Sequence, residues 1–228
     1  MKQQGATLIT VLIILVLVTL LGTIAIKSGI LGLKIATNSQ VNALLLENSD
    51  AALFNVENPN EVARQLALDG MFAYFNSADN ANDELVFCYR AASSNFFSLS
   101  NASAISDGGT KTTKIGITGF CKVNQFATGR SAVLSQVYLT KASTASTPFG
   151  SVPQGTSLGQ SNVPAISNNI GATVISVLPS FAGATSAQIE DCFKQQASAV
   201  GACFDVLGIP YNMQHSDYIV GGQPKLVS

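Results

Sequence analysis

The chain has 228 residues, 47% of them hydrophobic and only 11% charged, with 12 basic and 13 acidic side chains and a net charge of −1. That balance argues against the concentrated positive surface nucleic-acid binding needs, and the only histidine, His215, leaves a serine triad or an imidazole-rich metal site resting on one side chain. The apolar content suffices for a membrane span and one globular domain.

From Ala6 to Ile26 the chain carries neither charge nor proline. At about 1.5 Å per residue a helix of that length covers roughly 30 Å, the depth of a bilayer's hydrocarbon core. Its polar interruptions, Thr7, Thr10, Thr19 and Thr23, can bond back to helix carbonyls. Lys2 and the amino terminus precede the run, so the short end is expected to stay cytoplasmic and everything after Lys27 to be exported. A removable secretory signal also has a basic start and an apolar run. This run is long for that purpose, however, and only Gly22 to Ala25 offers anything like a small-x-small cleavage site.

Residues 27–57 continue the helical pattern without proline. Ile30, Leu33, Thr37, Val41, Leu44, Leu45, Ala51 and Ala52 fall on one face, and Lys34, Asn38, Asn42 and Asn48 are expected on the opposite one. Together, Ala6 to about Val56 would form a rod of roughly 75 Å. Gly22, Gly29 and Gly32 cluster where the apolar half gives way to the amphipathic half, and each lowers helix propensity by about 1 kcal/mol relative to Ala.

Residues 58–228 suit one globular α+β domain. Asn58-Pro59-Asn60 reads as a stop and restart, and Glu61 to Phe75 as a second helix burying Val62, Leu66, Met71, Phe72 and Phe75. Strands are expected at Leu85–Arg90, Ile115–Val123, Ala132–Thr140 and Thr173–Leu178, each rich in β-branched or aromatic residues. Between Lys141 and Gly171 the chain becomes Ser, Thr, Gly, Pro and Asn, a composition expected to form an exposed, mobile loop.

Four cysteines in an exported chain suggest two disulfides, and no Cys-x-x-Cys pair points to metal or redox chemistry. Of the three connectivities, the favoured one joins Cys88 to Cys121, between two expected strands, and Cys192 to Cys203, closing a short loop. Charge is unevenly spread. Glu47 to Glu84 is strongly acidic, whereas Leu85 to Lys141 holds Arg90, Lys111, Lys114, Lys122, Arg130 and Lys141 against Asp107 alone, a dipolar pattern that could steer docking. The basic stretch is too sparse for a nucleic-acid site, and Asp79-Asn80-Ala81-Asn82-Asp83-Glu84 lacks the glycine and distal glutamate of a calcium loop. No nucleophile elbow or zinc-binding His-Glu-x-x-His helix is present.

The junction Gln4-Gly5-Ala6-Thr7-Leu8-Ile9 ahead of an apolar helix resembles the class III signal of type IV pilins and their type II secretion relatives. In that family a prepilin peptidase cuts after the glycine and methylates the new amino terminus. The resemblance therefore implies a leader of residues 1–5, cleavage at Gly5–Ala6, and Ala6 as the first mature residue. This chain departs from the family in having Ala6 where Phe is usual and Thr10 where the fifth mature residue is usually Glu. That glutamate is thought to meet the amino terminus of a neighbouring subunit, and a charge at bilayer depth costs about 2.5–3.5 kcal/mol unless partnered. A subunit placed first in a filament has no earlier neighbour, so the neutral Thr10 points to the tip rather than to a repeating shaft subunit; tolerance of threonine in a membrane helix is the plain alternative.

The stretch GATLITVLIILVLVTLLG is similar to the amino terminus of the PilX group of minor pilins, counterparts of a minor pseudopilin that also lacks the glutamate. The resemblance implies a long amino-terminal helix, with membrane half 6–26 and amphipathic half 27–57, packed on an antiparallel head. It further implies a non-catalytic, cofactor-free role in assembling a type IV pilus from a tip-located initiation complex. Leu8, Thr10, Leu12 and Leu15 would serve as assembly-helix residues. The expected partners are other minor pilins, the major pilin and the prepilin peptidase, with a single-pass inner-membrane location before the filament. A carboxy-terminal disulfide loop also resembles one found in many pilins. A type II minor pseudopilin and a signal-anchored periplasmic adhesin or binding module are the alternatives.

Overall fold

A computed structural model describes residues 4–58, 65–67, 70–93, 98–106, 115–129, 132–142, 167–181 and 183–221, the side chains of 4–7, 167–168, 181 and 218–221 excepted. The chain divides into two compact units, Met1–Val41 and Asn42–Ser228. Helix α1 (Gln4–Val56) begins in the first and ends in the second.

In the first unit the described residues are helical, and large apolar side chains from Leu8 to Ile35 are exposed on every side. Thr19 donates to the carbonyl of Val16 (2.9 Å), Thr23 to that of Leu20 (2.8 Å) and Thr37 to that of Leu33 (2.9 Å). These hydroxyls are thus satisfied within the helix, as an apolar medium requires.

The second unit is built on five strands: β1 (Glu84–Tyr89), β2 (Ala102–Ile105), β3 (Leu134–Lys141), β4 (Ser167–Val177) and β5 (Tyr211–Gly221). They pair antiparallel throughout in the order β2-β1-β3-β4-β5. Because side chains alternate along a strand, the sheet offers two apolar faces. Leu85, Phe87, Val137, Leu139, Ala172 and Val174 meet Ala52 and Val56 of α1, and Met71, Phe72 and Phe75 of the short helix α2 (Met71–Asn76). The other face, with Val86, Leu134, Tyr138, Ile175 and Val177, is covered by Ile189 and Phe193 of α3 (Ser186–Phe193) and Val200 and Phe204 of α4 (Ala197–Leu207). The result is an α+β arrangement in which the second half of the long helix packs on a five-stranded antiparallel sheet and a helix pair caps the far side.

The packed face of α1 runs through Leu45, Asn48, Ser49, Ala52 and Val56, all buried. Asn48 was expected on the solvent side, but it is buried on the packed face, next in the chain to a polar seam made by Ser49. Ser49 donates to the hydroxyl of Ser176 (2.8 Å), which also hydrogen-bonds Ser135 across the ladder (2.7 Å). Asn48 Nδ2 donates to the carbonyl of Leu44 (2.8 Å), while its Oδ1 is buried without a hydrogen-bond partner. Ile30 and Leu33, expected on the buried stripe, stay exposed.

Three further expectations need correction. The single helix over Glu61 to Phe75 is interrupted: Leu66 lies in a turn, and Gly70 is extended (φ −95°, ψ 171°) where it caps α2; residues 61–64, Val62 among them, lie outside the described residues. Leu66, Met71, Phe72 and Phe75 are nonetheless buried. The strand expected at Ile115–Val123 is reduced to one bridge, Ser103 to Ile117. Gly116 there has φ 106°, a backbone turn that side-chain-bearing residues rarely make, and a Cβ on Gly119 would clash with the carbonyl oxygen of Val86, so the second glycine lets the segment pass close over β1. Finally, the expected loop Lys141–Gly171 is shortened at its end, since Ser167–Gly171 open β4; residues 143–166 lie outside the described residues.

An uncovered apolar helix on a cross-linked head

The Gly5–Ala6 peptide lies in the first turns of α1. Downstream, Leu8, Leu12 and Leu15 are 67%, 55% and 58% exposed. Helical geometry at 3.6 residues per turn brings these three onto one stripe and puts Thr10 on the opposite side. The four expected assembly residues therefore divide between two faces of the helix. Contiguous apolar surface from Leu8 to Ile35 far exceeds the few hundred Å² a soluble monomer leaves open. The helix is long and apolar enough to cross a membrane.

The head contains both disulfides the sequence favoured, Cys88–Cys121 and Cys192–Cys203. The setting of the first differs from expectation: Cys121 lies in a loop, not a strand, and its backbone N–H donates to Oε1 of Gln136 (2.8 Å). Cys192–Cys203 closes the short loop expected and in doing so ties together two consecutive helices. Helix α3 starts at a reciprocal capping box between Thr185 and Gln188, and α4 ends at Gly208 in the left-handed conformation (φ 67°). Both signals stand in the sequence.

The amide of Gln136, fully buried on β3, links these parts. Its Nε2 donates to Tyr138 Oη (2.6 Å) and to the carbonyl of Phe193 (2.7 Å), while Tyr138 donates to the same carbonyl (2.9 Å). One side chain thus joins the Cys121 loop, the central strand and the end of α3.

Two carboxylates of the acidic segment are committed inside the head. Asp83 accepts a hydrogen bond from the buried Tyr74 hydroxyl (2.6 Å), and burial followed by the Asp83 carboxylate pushes that phenol's pKa well up. Glu84 accepts from the backbone N–H of Ala197 (2.9 Å), capping the first turn of α4. Neither carboxylate is free to form a calcium loop with Asp79, and among the described residues no three His, Cys, Asp or Glu side chains gather as metal ligands. Lys141 donates to the carbonyl of Phe75 (3.4 Å), while Lys111, Lys114, Arg130 and Asp107 lie outside the described residues. His215 pairs with Thr173 across β4–β5 (2.9 Å) and with Asp217 (3.3 Å), but more than half of the imidazole is open to water. A hydroxyl beside that ring therefore lacks the dry, preorganised surroundings that make such an array nucleophilic.

Glu84 yields a prediction. Burial raises its carboxyl pKa from the ordinary 4.5, and the bond from Ala197 only partly opposes this. The folded state then holds the proton more tightly than the unfolded state. The stability this supplies is fully present below pH 4.5 and is lost as pH rises through the higher folded value. Glu84→Gln, which keeps an acceptor for Ala197, should lose that slope. In thermal melts between about pH 4 and 7, the wild type should fall relative to the variant as pH rises, and parallel curves would refute the assignment.

No protein-family model matches the chain. No curated protein and no solved structure matches it significantly. The pilin-like features that remain are the architecture itself: one long apolar amino-terminal helix that could anchor in a membrane, continued onto an antiparallel sheet.

Proposed function

We propose that this chain is a minor pilin, PilX-like, that takes part in assembly of a type IV pilus from a tip-located initiation complex and does no catalysis. The observation that carries the reading is the Gln4-Gly5-Ala6 junction at the start of a single helix, α1, that is apolar all round in its first half and bound to a sheet in its second. A membrane anchor alone needs only about 20 apolar residues; continuation of the same helix into the head fits a subunit whose anchor is later withdrawn from lipid and packed against other subunits. Cleavage at Gly5–Ala6 by a prepilin peptidase on the inner membrane leaves a mature chain beginning at Ala6. The driving force for assembly is then van der Waals packing of the helix, lipid being exchanged for neighbouring helices. The leucine stripe Leu8–Leu12–Leu15 serves one neighbour, and Thr10, which has no charge to be orphaned, faces away from it.

The test is amino-terminal sequencing of the protein purified from membranes, combined with deletion of the chain. A mature terminus at Ala6 and loss of surface pili are expected. An unprocessed Met1 would overturn the reading in favour of a simple anchor carrying a binding module. Intact pili with lost secretion of folded enzymes would overturn it in favour of a type II minor pseudopilin.

A further inference from the structure

A cavity of about 200 Å³ opens beside the Cys88–Cys121 disulfide. Its lining comes from the end of β1 and the turn after it (Cys88, Arg90, Ser93), the approach to β2 (Asn101), the bridged segment Ile117–Thr118, and the turn holding Lys122 and Gln125. These walls are fixed. Thr118 donates to the carbonyl of Ser100 (3.0 Å), the N–H of Gly119 donates to Ser103 Oγ (2.9 Å), and Lys122 and Gln125 close their turn with two hydrogen bonds, Gln125 N–H to the Lys122 carbonyl (2.8 Å) and Lys122 N–H to Gln125 Oε1 (3.1 Å). The cavity is therefore built by four segments of chain and a disulfide rather than by the chance lie of surface side chains.

Among the described lining residues two, Arg90 and Lys122, are cationic and none is acidic. Neither cation has an ion-pair partner among the described residues, although acidic side chains elsewhere in the head are engaged. Two positive charges held at one small concavity repel each other and draw in a counter-charge. Arginine presents a fork suited to two oxygens of one group, and lysine adds a point charge. The Ser93 hydroxyl and the amide nitrogen of Gln125, whose Oε1 is held by Lys122 N–H, suit hydroxyl groups. The volume is below the roughly 300 Å³ at which drug-sized sites begin, so the occupant is a single small unit. We infer that this cavity binds an oxyanion, carboxylate or phosphate, carried on a small hydroxylated ligand with the chemistry of an acidic sugar. The site lies on the head and does not depend on how α1 is processed or assembled.

The experiment is calorimetric titration of the full chain in detergent at about 50 mM salt, low enough that surface charges are not heavily screened, with sodium glucuronate, inorganic phosphate and glucose as probes. Saturable binding is expected for at least one anion, with glucose at least about tenfold weaker and each of Arg90→Ala and Lys122→Ala costing about tenfold, as loss of a hydrogen bond to a charged group implies. Saturation by glucuronate assigns a carboxylate ligand, and saturation by phosphate alone assigns a phosphorylated one. Both side chains are exposed, so the variants should keep the wild-type melting curve. Absence of saturable binding by either anion, or unchanged binding in the double variant, overturns the inference.

Discussion

Phe193→Ala should cost the head about 3–5 kcal/mol, the range for emptying a fully buried phenylalanine site. The ring is wholly buried and meets Phe204 edge to face, with centroids 5.1 Å apart and planes at 74°. It joins α3 to α4 and both to Leu134, Tyr138 and Ile175 on the sheet. Truncation removes the transfer term, leaves a cavity the disulfide-tied helices cannot readily close, and loses an aromatic pair worth about 0.5–1.5 kcal/mol beyond burial. Against a usual domain stability of about 5–15 kcal/mol this is a large share. Equilibrium urea unfolding of the full chain, read by near-ultraviolet circular dichroism, checks it. A loss below about 1 kcal/mol would mean the cap is held mainly by Cys192–Cys203 rather than by this ring.

The second large effect is expected from Gln136→Leu, at about 2–3 kcal/mol despite similar volume and greater apolarity. Leucine would gain a little from burial, but the substitution strands the N–H of Cys121, whose residue is fully buried, and an unsatisfied donor there bears its whole desolvation cost. The Phe193 carbonyl would keep one donor, Tyr138, so the loss is concentrated on the Cys121 side. Tyr138→Phe should accordingly cost less, near 1 kcal/mol, because Gln136 still serves that carbonyl. The double variant should cost something other than the sum of the two, since both side chains share one acceptor. A neutral or stabilising Gln136→Leu in the same unfolding assay would sink the claim that this amide holds the Cys121 loop in place.

How far the sequence revealed these features depended on which physical signal each element left. Helix α1, β1 and β3 were legible because each is long or rich in residues suited to its state, and the cysteine pairing was legible from spacing in a chain expected to be exported. The full extent of β4 was obscured because it begins in Ser167, Asn168 and Asn169, which read as loop. β5 mixes Asn212, Gln214, His215 and Ser216 with few β-branched residues, as an edge strand can, and left no alternation to find. β2 is four residues long. The helices α3 and α4 were not anticipated, although Thr185 with Gln188, and Gly208, mark their ends plainly; the expectation for that segment went no further than the disulfide that closes it. Asn48 was misplaced because its polarity suggested solvent, whereas the opposing sheet surface is itself polar at Ser135 and Ser176. At the candidate sites, the Gly5–Ala6 junction and the leucines were legible as local patterns. The grouping of Arg90 with Lys122 was not, because it depends on how a turn after β1 and a glycine-shaped loop meet in space.

The seam between Ser49 and Ser176 has a temporal side. These partners stand 127 residues apart in sequence, and β4, which carries Ser176, must pair with β3 before it can present that hydroxyl beside Ser135. In the proposed topology the amino terminus stays cytoplasmic and the chain after the apolar span is exported in sequence order, so the underside of α1, with Leu45, Ala52 and Val56, reaches the far compartment long before the surface that will cover it. The α3–α4 cap, by contrast, is local in sequence and can form early in its own segment. During that interval tethering by the apolar half of α1 limits where the uncovered face can diffuse, so the membrane span would act as a holding device for a half-built protein before it acts as anything else.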